Sequence, residues 1–169
     1  MKQYLFIPFV TLYSFAGLAQ EEELSSAFDF WVGKWGLTWE NRNGNVGKGI
    51  NNIVKILDGK VIQENFEALE GALKGFKGTS ISVYSQKSKS WHQAWADNQG
   101  GYFDFVGEID GDKKIFKTRE IVKDGKKVIQ RMVFYDIRNG TMTWDWENSN
   151  DGGKSWQLLW RINYKKINE

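Results

Sequence analysis

The chain has 169 residues, a net charge of +2 and no cysteine. The lack of cysteine excludes a disulfide framework, thiol catalysis, a thiolate metal site and a lipid-anchored cysteine. Because acidic and basic residues nearly balance, the chain lacks the uncompensated basic surface that phosphate binding needs, and we expect no nucleic-acid partner.

Residues 1–19 have the pattern of a secretory signal. Lys2 precedes an apolar run, and Gly17 and Ala19 are small residues of the kind that a signal peptidase accepts. The run is shorter than the roughly 20 apolar residues of a membrane-spanning helix, and Glu21 starts an acidic stretch directly after it. We therefore predict cleavage after Ala19, a mature chain in the periplasm or secreted, and no stable membrane anchor after cleavage.

Residues 20–27 are predicted to form a flexible N-terminal lead, and residues 28–169 a single β-barrel domain. That domain opens with the aromatic-rich segment FDFWVGKW at residues 28–35. Large rings bury much apolar area with few rotamers, so we expect this segment to be a short plug that closes one end of the barrel.

From residue 35 onward the apolar residues recur with a period of two, and turn-forming pairs such as Asn43-Gly44 and Asp124-Gly125 interrupt them. This pattern is typical of antiparallel hairpins. Ten strands are predicted, at residues 35–42, 46–56, 61–68, 79–86, 90–97, 102–109, 114–122, 127–137, 141–148 and 156–165.

A meander of this length must cover its edge strands, and closure is the simplest way to do so. The predicted fold class is therefore all-β, a single antiparallel up-and-down β-barrel of about ten strands with a short N-terminal plug. The segment 70–78, which carries three glycines, is the longest loop and is predicted to be a mobile lid.

Alternation in the last strands indicates which residues face the interior. One face of strand 141–148 carries Met142 and two tryptophans, and one face of strand 156–165 carries Trp156, Leu158, Trp160, Ile162 and Tyr164. We predict that a ligand contacts Trp91, Trp95, Trp144, Trp146, Trp160 and Gln93. The alternative is that these rings only fill the core, but ten strands enclose more volume than eight, which already can hold one small ligand.

Four motifs occur in a characteristic order: FDFWVGKW at 28–35, LDGKV at 57–61, WHQAWAD at 91–97 and SNDGGKSW at 149–156. In this order the sequence resembles a bacterial lipocalin-like family filed as domain of unknown function 1579 (DUF1579). The resemblance covers roughly residues 28–164 and implies a calycin-type barrel without an established activity.

In the lipocalin superfamily a Gly-x-Trp at the barrel floor packs under an arginine from the last strand. Gly33 and Trp35 match the first part of this arrangement, and the resemblance implies that Arg161 is the partner of Trp35.

The segment 149–156 also resembles the Asp-box hairpin of sialidases and related propellers. In that motif the aspartate, here Asp151, accepts hydrogen bonds within the turn, and the Trp anchors it to the core. The resemblance implies a structural turn, because a propeller would repeat the motif once per blade and it occurs here once.

His92 is the sole histidine, and alternation places it opposite Trp91 and Gln93, so we expect an outward or rim position. It cannot form a multi-histidine zinc site alone, and no metal site or cofactor is predicted. Glu64 and Asp97 are polar residues that can point into a cavity, but no spacing joins them in a catalytic triad.

The favoured function is that of a secreted lipocalin-like protein binding a small hydrophobic or amphipathic ligand in a Trp-lined cavity. The alternative is a small periplasmic enzyme or carbohydrate-handling accessory protein that uses Glu64, Asp97 and His92 to move protons, since indole rings also suit sugar stacking. Whether the protein is an enzyme stays open at this point.

Overall fold

The computed structural model describes residues 21–41 and 43–167, so the predicted signal at residues 1–19 lies outside the described residues. Within them, a short 3-10 helix at Asp29–Trp31 precedes eleven strands. These are β1 (Gly33–Glu40), β2 (Val46–Ile56), β3 (Val61–Glu70), β4 (Lys77–Ser85), β5 (Ser90–Asp97), β6 (Tyr102–Asp110), β7 (Lys113–Lys117), β8 (Ile121–Lys123), β9 (Lys126–Arg138), β10 (Thr141–Ser149) and β11 (Gln157–Lys166).

Ten of the strands form a closed antiparallel barrel. The strands β1 to β7 each pair with the next, β7 pairs with β9, and β9, β10 and β11 continue the sheet until β11 meets β1. Closure leaves the barrel wall without a free edge. The predicted all-β, up-and-down barrel of about ten strands is therefore confirmed.

The eleventh strand, β8, pairs only with β9 and lies outside the barrel. The sequence predicts one strand at 114–122, but β7 ends at Lys117. Thr118 then forms two hydrogen bonds with Gln130: its backbone N–H donates to the Gln130 carbonyl, and its hydroxyl oxygen accepts from the Gln130 N–H. The chain next forms a small β8–β9 hairpin around Asp124 and Gly125, both at positive φ. Alternation alone does not mark the point at which a strand leaves the sheet.

The N-terminal segment closes one end of the barrel, as predicted. Phe28 stacks on Phe116 with ring centroids 4.3 Å apart and meets Trp91 edge-on at 5.2 Å, while Trp31 meets Phe134 at 5.1 Å. We call this the closed end. Because β1 begins beside the plug and its neighbours are antiparallel, the connections after β1, β3, β5, β7 and β10 lie at the opposite end, which we call the open end.

Part of the predicted flexible lead is attached to the barrel. Residues 21–25 are helical, and the Leu24 carbonyl accepts a 2.8 Å hydrogen bond from the indole N–H of Trp91. Ala27 packs against the core. This contact fixes the lead against the closed end.

The prediction that Arg161 packs on Trp35 is wrong. Arg161 faces outward and donates two 2.7 Å hydrogen bonds to the buried carboxylate of Asp145, whereas Lys166 Nζ lies 5.5 Å from the centre of the Trp35 ring. The physical reason is alternation: the inward residues of β11 include Ile162, and Arg161 belongs to the opposite face.

The prediction that Trp156 and Leu158 share the inward face of Trp160 is also wrong. Trp146 pairs with Trp160 but Glu147 pairs with Leu158, so a bulge occupies this point of the β10–β11 ladder. One extra residue in one strand reverses the faces beyond it. Leu158 is consequently exposed, and Arg131 lies 3.7 Å above the Trp156 ring.

The β10–β11 connection at the open end forms the Asp151-centred turn that its Asp-box pattern predicts, but Trp156 packs against Arg131 rather than in the core. The carboxylate of Asp151 accepts hydrogen bonds from the backbone N–H groups of Lys154 and Ser155 and from the hydroxyls of Ser149 and Ser155. Hydrogen bonds from Ser155 and Ser149 hold the pKa of Asp151 well below its usual range. The turn is thus ordered by a single ionised side chain.

Candidate ligand-binding cavity

A cavity of about 240 Å³ lies inside the barrel toward the open end. Aromatic rings form most of its wall, with a few aliphatic side chains and three polar groups. The lining residues are Glu64, Phe66, Phe76, Trp95, Asp97, Phe103, Phe105, Met132, Trp144, Trp146, Trp160, Ile162 and Tyr164.

A larger depression of about 760 Å³ lies along the β1–β11 wall, and its lining includes Lys48, Glu70, Lys165 and Lys166. Flexible, hydrated side chains of this kind do not form the fixed apolar surface of a small-molecule site. The interior cavity is therefore the candidate functional site.

The aromatic rings of the cavity wall pack against one another. Trp144 and Trp146 lie nearly parallel, 6.5 Å apart, and Trp160 meets Trp144 edge-on at 5.7 Å. Phe103 and Phe105 meet Trp146 edge-on, with ring centroids 5.6 and 6.0 Å away. Such edge-to-face and stacked pairs fix the ring positions, so the shape of the wall is set by the protein alone.

Two indole rings lie directly against strand glycines. A Cβ at Gly78 would collide with the Trp95 ring, and a Cβ at Gly47 would collide with the Trp39 ring. These glycines of β4 and β2 face the interior, where a larger residue would occupy the space of the ring. The flat position of Trp95 in the cavity wall thus depends on the bare backbone of Gly78.

Glu64 provides a carboxyl group at the inner end of the cavity and is only 4% exposed. Asn51 Nδ2 donates a 2.6 Å hydrogen bond to one of its oxygens, and Ser80 Oγ donates a 2.7 Å bond to the other. Burial raises the pKa of Glu64 to about 7, although these two hydrogen bonds act in the opposite direction. The group can therefore gain or lose a proton near neutral pH.

Tyr164 lies beside Glu64, and its hydroxyl oxygen accepts a 3.3 Å hydrogen bond from Asn51 Nδ2. Burial, and then the negative charge of Glu64, raise the pKa of Tyr164 far above its usual range. The phenol consequently stays neutral and keeps its proton available for donation.

Asp97 places a second carboxylate near the rim. Its Oδ1 accepts 2.9 Å hydrogen bonds from the backbone of Gln99 and Gly101, and Trp95 Nε1 donates to Oδ2 at 3.3 Å. Desolvation acts to raise the pKa of Asp97, but the hydrogen bonds from Gly101, Gln99 and Trp95 together lower it. Asp97 is therefore a fixed negative charge at neutral pH.

Four of the six predicted ligand-binding residues meet in this cavity: Trp95, Trp144, Trp146 and Trp160. Trp91 lies at the closed end under Phe28. Gln93 is buried in the wall, where its amide donates a 2.9 Å hydrogen bond to Ser82 Oγ. Contact of any of the six with a ligand stays a prediction.

The sequence pattern does not predict Tyr164, Phe66, Phe103 or Phe105 as site residues, and it points to Glu64 only for the alternative function. Each of these residues lies on the inward face of its strand. The alternating pattern of β3 and β6 was the available signal, but it does not say which inward residues border an open space.

His92 lies on the outer face of β5, as predicted, and is exposed. Its Nε2 is 3.1 Å from Ser90 Oγ and 3.3 Å from Ser88 Oγ. Since the barrel wall separates it from the interior, His92 does not join Glu64 and Asp97 in one site.

Two further findings concern the part of the chain that the structure describes. No group of three or more His, Cys, Asp or Glu side chains is arranged to hold a metal ion there. Among the same residues, no helix has the length and apolarity needed to cross a bilayer.

Fold and site together define the molecule as a closed antiparallel β-barrel with an aromatic-lined internal cavity. Comparison of the sequence with models of known protein families gives no match. Comparison with curated proteins gives no match either.

Proposed function

We propose that this protein is a lipocalin-like binding protein that holds a small hydrophobic or amphipathic molecule in the barrel cavity. The observation that carries the proposal is the grouping of Trp95, Trp144, Trp146 and Trp160 around about 240 Å³ of space near the open end. An apolar cavity of about 150 Å³ is large enough for benzene. The space therefore suits one ring with a short side chain, or an aliphatic body of similar size.

The contrast between these rings and the rest of the core supports binding over simple filling. Phe28, Phe116 and Phe134 are fully buried, whereas the cavity tryptophans are only partly buried although they sit on the inward face. Interiors of proteins are close-packed, and space beside large rings is costly unless something occupies it. A ligand that covers the rings would restore the missing contacts.

The test is a calorimetric titration with nitrobenzene, a neutral molecule of one ring. We expect saturable binding with one site, and about tenfold weaker binding to Trp146→Ala because one wall of the cavity is lost. Calorimetry reports the Kd regardless of how many tryptophans remain. His92→Ala is the control, because His92 lies outside the barrel.

Two results would contradict the proposal. One is the absence of saturable binding to the wild-type protein. The other is a Trp146→Ala variant that binds nitrobenzene as tightly as the wild type while His92→Ala changes the affinity.

The proposal extends to family and location. Membership of the bacterial lipocalin-like family DUF1579 is supported by the four ordered motifs and agrees with the closed barrel. The signal pattern of residues 1–19 supports a mature protein that begins at Gln20 in the periplasm or the medium. The intact mass of the exported protein tests this, and a mass that includes residues 1–19 would overturn it.

A second candidate, an enzyme that transfers protons, is favoured by one observation, the raised pKa of Glu64 inside the cavity. A carboxyl group with a pKa near 7 suits general acid–base catalysis. In this case Asp97 contributes a fixed charge and His92 takes no part. A carbohydrate is one substrate that indole walls would suit, and turnover abolished by Glu64→Gln without loss of binding would favour this candidate.

A further inference from the structure

The charges of the cavity are all of one sign. Its lining includes the carboxyl groups of Glu64 and Asp97, and no lysine, arginine or histidine is among the lining residues. Asp97 is held ionised by its hydrogen bonds in the β5–β6 turn. A negative rim attracts cations and repels anions before they enter.

Glu64 has no basic partner among the residues that the structure describes. Its two hydrogen bonds come from the neutral donors Asn51 and Ser80. Buried carboxylates are usually paired with a cation. A carboxylate has about four acceptor positions, so Glu64 can accept further hydrogen bonds from a ligand that reaches the cavity floor.

The walls also favour a cation. Trp95, Trp144, Trp146 and Trp160 border the space above Glu64. Indole is the side chain whose face attracts a positive charge most strongly, and the attraction grows when the cation is desolvated. An anion would be repelled by the two carboxyl groups and by the negative ring faces. A neutral molecule would gain neither the attraction of the carboxyl groups nor that of the ring faces.

We propose that the cavity selects a small cationic amine: a body of about one ring that lies between the tryptophans, with an ammonium group that donates hydrogen bonds to Glu64. This inference rests on the proposed binding function and adds the chemical class of the ligand. Asp97 steers the cation at the rim, and Glu64 holds it at the floor.

The proposal carries a pH dependence. Three groups face Glu64 from other strands: Asn51 on β2, Ser80 on β4 and Tyr164 on β11. Of these only Tyr164 titrates, far above neutral pH. Asp97 is the other charged group of the cavity and stays ionised. Since an ammonium ion needs Glu64 ionised, we expect amine affinity to fall by about tenfold or more from pH 8 to pH 5.

The experiment compares three probes of matched shape: 2-phenylethylamine, 2-phenylethanol and 3-phenylpropanoate. At pH 8 we expect the amine to bind about tenfold or more tightly than the alcohol, and the carboxylate to bind most weakly. Glu64→Gln should lower amine affinity by about tenfold or more, toward that of the alcohol, and should change alcohol affinity much less. The matched control is Glu67→Gln, the same substitution on the outer face of β3, where Glu67 pairs with Lys77.

The outcomes separate the inference from the proposed function. Equal affinity for amine and alcohol, or tightest binding of the carboxylate, overturns the inference while the binding function stands. If the protein binds nitrobenzene but none of the three probes, the inference is overturned as well. If it binds neither nitrobenzene nor any of the three probes, the proposed function itself is overturned. Should Glu64→Gln fail to fold, the wild-type comparison of pH 5 with pH 8 decides: an amine affinity that stays constant refutes the role of Glu64.

Discussion

The closed and open ends of the barrel both contain inward-facing aromatic residues, but the two ends bury them to different extents. Trp91 and Trp95 lie four residues apart on the inward face of β5, yet Trp91 is 5% exposed beneath Phe28 and Trp95 borders the cavity. The plug supplies several covering rings at the closed end. At the open end, Phe76 of the β3–β4 connection borders the cavity, and the tryptophans there stay partly buried. An inward tryptophan therefore marks a binding surface only where no other segment of the chain packs on it.

The largest effect should come from removing the centre of the plug. Phe28 is fully buried against Phe116 and Trp91, and we expect Phe28→Ala to lower the free energy of unfolding by about 3 to 5 kcal/mol. Unfolding in guanidinium measures this. Phe103→Ala at the open end is the comparison, because Phe103 is half-buried and should cost less.

Equal losses of unfolding free energy in Phe28→Ala and Phe103→Ala would mean that the two ends of the barrel are packed equally well, which would contradict the difference between Trp91 and Trp95. Phe28→Leu keeps most of the apolar volume, so it should lose only part of the stability that Phe28→Ala loses. This graded variant keeps the test informative if the alanine variant does not fold.

The second-largest effect is a pH dependence of the free energy of unfolding, which comes from Glu64 in the cavity. The pKa of Glu64 rises from 4.5 to about 7 on folding, so between these values the folded protein binds more protons than the unfolded chain. Stability from this group is fully present below pH 4.5 and is lost as the pH rises through 7, by up to about 3 kcal/mol. Glu64→Gln should remove this contribution.

Urea unfolding of both proteins at pH 5 and pH 8 checks the prediction. Because all other titratable groups are shared, the difference between wild type and variant isolates Glu64. Parallel pH profiles would show that Glu64 is not desolvated by the fold, and the open end would then resemble an ordinary solvated surface.

The smallest effect concerns the turn beside the open end. Asp151→Ala removes the acceptor for Lys154 and Ser155, so the thermal midpoint should fall, whereas nitrobenzene affinity should stay the same because Asp151 is not part of the cavity wall. Asp112→Ala, in the exposed β6–β7 turn of the closed end, is the control. Unchanged stability with lost binding would assign the Asp151 turn to the ligand site.

Turn-forming residue pairs and the alternation of apolar residues are enough to predict most of the fold. Pairs such as Asp124-Gly125 and Asn139-Gly140 adopt positive φ at both residues, as tight hairpins require, and the strands between the turns follow the alternation of apolar residues. Closure followed from the need to cover edges. The bulge beside Trp160 and the departure of β8 are not encoded in alternation, since each depends on how two strands pair.

The site was predicted only in part, for a related reason. Alternation selects the inward face, and it correctly placed Trp144, Trp146 and Trp160 inside. It cannot separate the covered end from the open end, which is why Trp91 was grouped with Trp95. The partnership of Glu64 with Asn51 joins strands β3 and β2 in three dimensions, and no spacing in the sequence indicates it.

If the cavity binds a ligand as proposed, the packing of Trp95 on Gly78 lets a residue that the ligand does not touch change the ligand preference. A methyl group at residue 78 would collide with the indole and push it toward the cavity. The longest molecule that fits would then become shorter, although no atom that touches it had been replaced. Under the proposed binding function, size selectivity is therefore expected to depend partly on backbone positions that carry no side chain, and residues 78 and 95 are expected to vary together rather than singly.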